Sequence, residues 1–311
     1  MTVIEYKHGE SHSPLEASCA ALGFFDGVHL GHRAVLSDML HGASEVGLLP
    51  LVFTFPSEGG IKPGARRLFS TEEKLRVLRE LGVEVVVLCD FASVAQLTPE
   101  EFVRDVLVGA FGVRFAFAGR DFRFGHRAEG DSEALVRLMR ASGGDAVIHE
   151  MRSVLLPDGS SELASATRIR EYLASGRPEF AAALIGEPYS VYSTVVRGDG
   201  RGHSLGYPTV NTDLAPDTPL RHGVYRTRVR IEDRDYVGLT NVGRCPTFGE
   251  RAVHAETFII GFSGDVYGSD VSIAFLEYLR EERSFASAEE LGAEIKRNIE
   301  AVAGGGHGTE K

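Results

Sequence analysis

The chain has 311 residues, 43% hydrophobic and 25% charged, with 33 Lys and Arg against 44 Asp and Glu for a net charge of −11. That length suits two domains, each burying its own core, and the acid excess argues against a broad nucleic-acid surface, which gains affinity by neutralising phosphates with cations. A small phosphorylated ligand remains compatible, because helix N-termini supply donors without formal charge.

No stretch approaches the roughly 18 consecutive apolar residues of a membrane-spanning helix. The first residues lack the basic-then-apolar layout of a signal peptide. Cys19, Cys89 and Cys245 lie far apart and fit neither a disulfide framework nor a zinc pattern. The first two stand in apolar runs and read as buried free thiols. Together these features predict a cytoplasmic protein with small-molecule partners, no nucleic acid and no membrane; they leave its oligomeric state open.

In chain order, the first half alternates strand and helix patterns. Apolar runs at residues 19–25, 49–55, 83–89, 113–118 and 146–151 read as parallel strands covered on both faces. Between them, Ser70-Thr-Glu-Glu73 is a capping box. Thr98-Pro-Glu-Glu101 repeats it with Pro99 at the first helical position. Repeated βα units predict a doubly wound parallel sheet, with ligands at the carboxyl ends of its strands. Helices from about 167 to 175 and from 178 to 185 close this half, and the texture changes after Gly186-Glu-Pro188.

Beyond that point strand-like runs follow one another without helices, at 189–197, 223–231, 236–242, 254–262 and 271–275. Turns rich in Gly, Asp and Pro separate them, as in a small antiparallel β-barrel. A third capping box, Ser287-Ala-Glu-Glu290, opens a C-terminal helix, and the glycine-rich tail from 304 to 311 is expected to be disordered. The predicted division is therefore 1–186, 187–303 and the tail.

Two constellations carry chemistry. The first is Leu22-Gly-Phe-Phe-Asp-Gly-Val-His-Leu-Gly-His32 after the first apolar run. Gly23, Gly27 and Gly31 permit a tight turn and close approach to a phosphate. His29 and His32, three apart at a helix start, can share the face toward a ligand and donate to developing phosphate charge. In the second, 198–211, glycines precede an extended segment in which Thr209 and Asn211 face the same side. Paired neutral oxygens of this kind suit Mg²⁺ bridged to nucleotide phosphates, although a β-turn without ligand stays open from spacing alone.

The string Gly-x-Phe-Asp-Gly-x-His-x-Gly-His resembles the signature of the HxGH nucleotidyltransferases. With Gly119-Arg-Asp-Phe-Arg-Phe-Gly-His-Arg-Ala-Glu-Gly-Asp131 and Ala164-Ser-Ala-Thr-Arg-Ile-Arg170, it is similar to the FMN-adenylylating domain of bacterial bifunctional riboflavin kinase/FAD synthetases. The resemblance implies that Gly23, Phe25, Asp26, Gly27, Gly31, Ser165, Thr167 and Arg168 bind ATP, with His29 and His32 catalytic. It implies that Phe122, Arg123, Phe124 and Arg127 line a flavin pocket.

The run 198–211 likewise resembles the riboflavin kinase signature, as do Asn241-Val-Gly-Arg-Cys-Pro-Thr-Phe248, the segment 256–268 and Leu279-Arg-Glu-Glu-Arg-Ser-Phe285. By that resemblance Gly202, Gly206, Pro208 and Thr209 bind ATP, Thr209 and Asn211 hold Mg²⁺, and Glu256 is the general base for the riboflavin 5′-hydroxyl. The implied activity is ATP-dependent conversion of riboflavin to FMN and of FMN to FAD.

Departures open alternatives. Thr54-Phe-Pro-Ser-Glu-Gly59 stands where the family has Thr-Phe-x-Pro-His-Pro, and Ala166 replaces the second of two paired serines. One alternative is a kinase whose first domain adenylylates slowly or not at all. Another is a flavin- and nucleotide-binding regulator without turnover. In the second domain Phe258 replaces a frequent histidine and Arg244-Cys245 a more usual pair, neither touching the implied metal or base.

Overall fold

The computed structural model describes residues 1–10, 13–58, 66–151, 153–196, 209–244, 253–283, 290, 292–294 and 296–299. The chain divides into two compact units, Met1–Ala166 and Thr167–Lys311.

In the first unit the strands are β1 (Thr2–Tyr6), β2 (Ser18–Leu22), β3 (Leu49–Thr54), β4 (Val85–Cys89), β5 (Val113–Gly119) and β6 (Asp145–His149). They form one parallel sheet in the order β1-β4-β3-β2-β5-β6. Its helices are α1 (Leu30–Val46), α2 (Thr71–Glu80), the single turn α3 (Phe91–Val94), α4 (Pro99–Glu101) continuing as π-helical turns over Phe102–Ala110, and α5 (Ser132–Ala141). Both expected capping boxes form, Ser70 with Glu73 and Thr98 with Glu101. Cys19 and Cys89 are buried free thiols, as expected.

Two elements lie outside the sequence expectation. Strand β1 pairs with β4 at the sheet edge, and a hairpin of β7 (Ser153–Leu155) and β8 (Ser161–Leu163) follows β6. The first predicted strand, 19–25, ends instead at Leu22. Phe25, Gly27 and Val28 all adopt left-handed backbone (φ 54, 73 and 36), which ladder geometry cannot accommodate.

The second unit opens with α6 (Ala166–Ala174, its first residue closing the preceding unit) and α7 (Pro178–Ile185). It continues through β9 (Ser190–Val196), β10 (Thr209–Leu214), β11 (Gly223–Ile231), β12 (Arg234–Arg244), β13 (Val253–Ile259) and β14 (Asp270–Arg280). The six strands close an antiparallel barrel in the order β10-β13-β12-β11-β14-β9. Whereas the sequence changes texture near 186, the compact units part at 166/167. The two intervening helices belong to the barrel unit, where α7 packs on β14 and the Arg221 amide donates to the Leu173 carbonyl at 3.1 Å.

Strand β14 runs five residues past the predicted 271–275. Two register shifts against β11 break the alternation by which the sequence could have announced that extension. Inside the barrel, the hydroxyls of Thr227, Thr240 and Thr257 form a fully buried chain with O···O distances of 2.8 and 2.9 Å. This mutual pairing satisfies groups that burial alone would destabilise. Residues 290, 292–294 and 296–299 are helical; the third capping-box residue Ser287 and the tail lie outside the described residues. Among the described residues no helix is long and apolar enough to cross a membrane.

Candidate functional site

In the sheet order, β2 runs through β3 and β4 to one side, while β5 and β6 lie on the other. The topological switch point therefore falls between β2 and β5, which pair directly (Ala20↔Ala116, Ala21↔Phe117). Ligands of open α/β sheets bind beyond the carboxyl ends of the strands at such a point. The histidine-bearing turn leaves the carboxyl end of β2 and the 119–131 loop leaves that of β5, so two sequence-distant motifs open from the same end of neighbouring strands.

The turn is held from below. Gly23 donates to the Phe53 carbonyl at 3.3 Å, then the chain lifts off through its left-handed residues. Val28 is wholly buried despite φ 36, a strained setting for a β-branched side chain. At Gly27 (φ +73) an added Cβ would lie 2.6 Å from Leu68 Cδ1, so both conformation and space demand glycine. Asp26 is 3% exposed, and its Oδ1 accepts the Leu68 and Phe69 amides at 3.1 and 3.2 Å. Asp26 thus clamps the chain that leads into α2.

His29 caps α1: its Nδ1 accepts the His32 amide at 3.4 Å. That acceptor role leaves the proton on Nε2, so His29 presents one N–H donor. The two imidazoles stack with centroids 3.6 Å apart and planes 18° apart. Burial pushes His29 down to about 4. His32 is driven well below its ordinary value by burial, by His29 and by Lys74. At neutral pH the pair is uncharged, so either ring can donate only as a neutral imidazole and not as an imidazolium. His32 Nδ1 is buried without a hydrogen-bond partner.

One residue that the motif reading missed is Lys74 on α2. It is wholly buried, and its Nζ donates to the Phe55 carbonyl at 2.6 Å and the Phe24 carbonyl at 3.2 Å. Its signal was present in the sequence: Lys74 shares the apolar stripe of Val77 and Leu78, at i+3 and i+4. The departure after β3 is also defined in part. Ser57 is buried with its amide donating to Thr71 Oγ1 at 2.8 Å, and Glu58 takes Arg67 and the Thr71 hydroxyl. Residues 59–65 lie outside the described residues.

The 119–131 loop folds back on itself through the Phe124–Gly130 bridge. Phe122 is half-buried and stacks on Phe124, with centroids 5.6 Å apart and planes at 16°. Phe124 itself belongs to the sheet's hydrophobic core, so it supports Phe122 from beneath. Arg123 and Arg127 are exposed. Arg127 and Ala128 are consecutive left-handed residues (φ 51 and 59), which marks a loop held under strain. His126, unremarked in the sequence, has its Nδ1 buried without a hydrogen-bond partner. Ser165 directly precedes α6, and Thr167 and Arg168 fall in its first turn. The Arg168 guanidinium pairs with Glu171 and reaches Tyr172 Oη at 3.2 Å on the same helix.

In the barrel, Asn211 on β10, Glu256 on β13 and Asn241 on β12 are direct cross-strand partners. They share one face of the sheet. The adjacent positions Thr212, Ala255 and Val242 point into the barrel, which places the three polar residues on its outer surface. Thr209 Oγ1 donates to Glu256 Oε1 at 2.7 Å. That donation turns the hydroxyl lone pairs away from the carboxylate, where they can meet a cation. Asn241, absent from the predicted site, donates from Nδ2 to Glu282 Oε1 at 3.1 Å. Gly202, Gly206 and Pro208, and residues 245–248 of the second kinase motif, lie outside the described residues.

A strained turn with neutral histidines at a switch point, and an oxygen-rich strand face with a carboxylate, define a two-unit transferase built around nucleotide phosphates. Two family models match the chain, FAD synthetase over residues 11–159 and riboflavin kinase over residues 185–304. A bifunctional riboflavin kinase/FMN adenylyltransferase of Listeria monocytogenes is 32% identical over 286 residues, covering 89% of each chain. The corresponding Escherichia coli K12 protein is 31% identical over 310 residues, covering 96% of each. A crystal structure from Streptococcus pneumoniae, described as a macrolide-efflux protein, aligns over 97% of this chain and 99% of its own at TM-score 0.82 and 28% identity. The chain belongs to the family of bifunctional riboflavin kinase/FMN adenylyltransferases.

Proposed function

We propose that the barrel unit phosphorylates riboflavin to FMN and that the sheet unit transfers AMP from ATP to FMN, giving FAD and pyrophosphate. The observation that carries the reading is the position of the His29–His32 turn and the 119–131 loop at the carboxyl ends of β2 and β5, the switch point, together with the barrel face bearing Thr209, Asn211 and Glu256.

At the barrel face, Glu256 takes the proton of the riboflavin 5′-hydroxyl, whose oxygen attacks the γ-phosphorus of ATP while the bond to the β-phosphate oxygen breaks and ADP leaves. Thr209 orients that carboxylate through its 2.7 Å hydrogen bond. Thr209 and Asn211 offer hard neutral oxygens, the donor type that suits Mg²⁺. Two such donors are too few for an all-protein cage, so the ion would be held largely by nucleotide phosphates, whose charge it neutralises when bound. Gly202, Gly206 and Pro208 would complete the ATP contacts.

At the switch point, a phosphate oxygen of FMN attacks the α-phosphorus of ATP and pyrophosphate departs. Neutral His29 and His32 donate to the charge that accumulates on the phosphate oxygens. Gly23, Phe25, Gly27 and Gly31 bring the backbone close, Asp26 holds the turn, and Ser165, Thr167 and Arg168 serve the nucleotide phosphates. Phe122 offers a ring face to the flavin, with Arg123 and Arg127 for its phosphate. We assign the activities to the segments 1–186 and 187–303 and place the protein in the cytoplasm, without nucleic-acid partners.

The test is one incubation of the protein with riboflavin, ATP and Mg²⁺, followed by chromatography of the flavins. FAD is the expected end product. Accumulation of FMN alone would favour a kinase with a weakened adenylyltransferase unit, and unchanged but tightly bound riboflavin would favour a regulator. Glu256→Ala should abolish FMN formation while conversion of supplied FMN to FAD continues; equal loss of both would refute two separate sites.

A further inference from the structure

Parallel strands β2 and β3 pair in register as far as Leu22↔Phe53. Two residues further on they part, and the carbonyls of Phe24 and Phe55 have no strand partner in each other. The Lys74 ammonium reaches both, at 3.2 and 2.6 Å. It also lies 4.7 Å from the Phe24 ring centroid. The Thr54 hydroxyl adds a second donor to the Phe24 carbonyl at 3.0 Å. A cation thus bridges the two strand ends.

A neutral donor would satisfy these carbonyls at far lower cost, because lysine is almost never fully buried unless paired with an anion. Among the described residues Lys74 touches two carbonyls and a ring, with no carboxylate in hydrogen-bond contact. Asp26, on the turn after β2, and Glu58, after β3, act on it only through space, and His29 and His32 on α1 are uncharged at neutral pH. Asp26 is meanwhile spent on two amides, and Glu58 on Arg67 and Thr71. A positive charge therefore lies beneath the Gly23–His32 turn with its anions engaged elsewhere.

We propose that Lys74 is a positioning residue for nucleotidyl transfer, its ammonium fixing the parted ends of β2 and β3 and setting a positive potential under the turn that seats the nucleotide polyphosphate. The proposal rests on the adenylyl-transfer reading of this unit. It extends that reading in a definite way: after burial and His29, the Lys74 charge adds to what keeps His32 neutral, because like charge disfavours protonation. Burial in turn brings Lys74 down to about 8, so its charge is lost at moderately alkaline pH.

The experiment uses the full chain with Lys74→Met and Lys74→Arg. FMN-to-FAD conversion is followed against pH and ATP concentration, with amide hydrogen-exchange protection at Leu68 and Phe69 reporting an intact sheet unit and riboflavin phosphorylation an intact barrel. Lys74→Met should lower kcat for FAD formation by about ten- to a hundredfold, the range for a displaced catalytic turn, and leave phosphorylation unchanged. The wild-type rate should fall as pH rises through about 8. That alkaline limb should vanish in Lys74→Met and move to higher pH in Lys74→Arg, which keeps its charge. By NMR of labelled histidine, the protonation midpoint of His32 should rise in Lys74→Met. An unchanged alkaline limb in Lys74→Met, or an unmoved His32 midpoint, would overturn the proposal. Absence of FAD formation by the wild type would count against the adenylyl-transfer reading instead, and the His32 midpoint would still decide the place of Lys74.

Discussion

Removing the Asp26 carboxylate tests how the phosphate turn is held. In Asp26→Ala the Leu68 and Phe69 amides lose acceptors at 3.1 and 3.2 Å in a site where all three residues are buried. Each unsatisfied buried donor costs about 1–3 kcal/mol, so the first unit should lose about 3 kcal/mol or somewhat more. With a urea m-value of about 2 kcal/mol/M, its unfolding midpoint should fall by about 1.5 M. The assay is urea unfolding followed by circular dichroism, with amide hydrogen exchange read at Leu68 and Phe69. Those two amides should lose protection first, while the barrel amides of β11 and β12 keep theirs. A midpoint moved by less than about 0.3 M, with Leu68 and Phe69 still protected, would refute the clamp.

Acid should weaken the same unit. His29 titrates at about 4 when folded against 6.5 when unfolded, so the unfolded chain binds the extra proton between those values. The stabilisation is complete above pH 6.5, is lost as pH falls, and is gone near pH 4, about 3 kcal/mol in all; His32 adds a contribution of the same sign. Denaturation midpoints between pH 4 and 7 should show this slope, and His29→Gln should flatten it. In the barrel, Thr240→Val strands the hydroxyls of Thr227 and Thr257 and should cost about 1–3 kcal/mol by thermal unfolding. Replacing all three threonines by valine should recover much of that loss, since no buried hydroxyl is then left unpaired.

The parts of the fold visible in the sequence are those that local chemistry determines. The Ser70 and Thr98 capping boxes, helix α7 and strand β11 fall where their own residues put them. Strand β1 was hidden because it is short and mostly solvent-facing, an edge strand without an apolar run. The site motifs were legible as strings, but the partners of their side chains were not. Asp26 reads as a ligand residue in its motif, yet its hydrogen bonds go to amides 42 and 43 residues away. Lys74 reads as one more solvated helix charge unless its place on the stripe of Val77 and Leu78 is noticed. Glu256 and Asn211 could be named from their motifs, while their pairing with each other and with Asn241 required the strand register.

The helices between the two motif-bearing regions bear on how the protein can be dissected. Phe180, Ala181, Leu184 and Ile185 are the buried side of α7, which lies against β14. A fragment cut where the sequence changes texture, at 186/187, would bare the flank of β14 and present a fresh apolar strip to other molecules. Started at 167, the same barrel would carry its own cover. A barrel fragment made by proteolysis or transplantation should therefore start at the seam, 166/167, whereas a fragment meant to carry adenylyl transfer must keep Thr167 and Arg168.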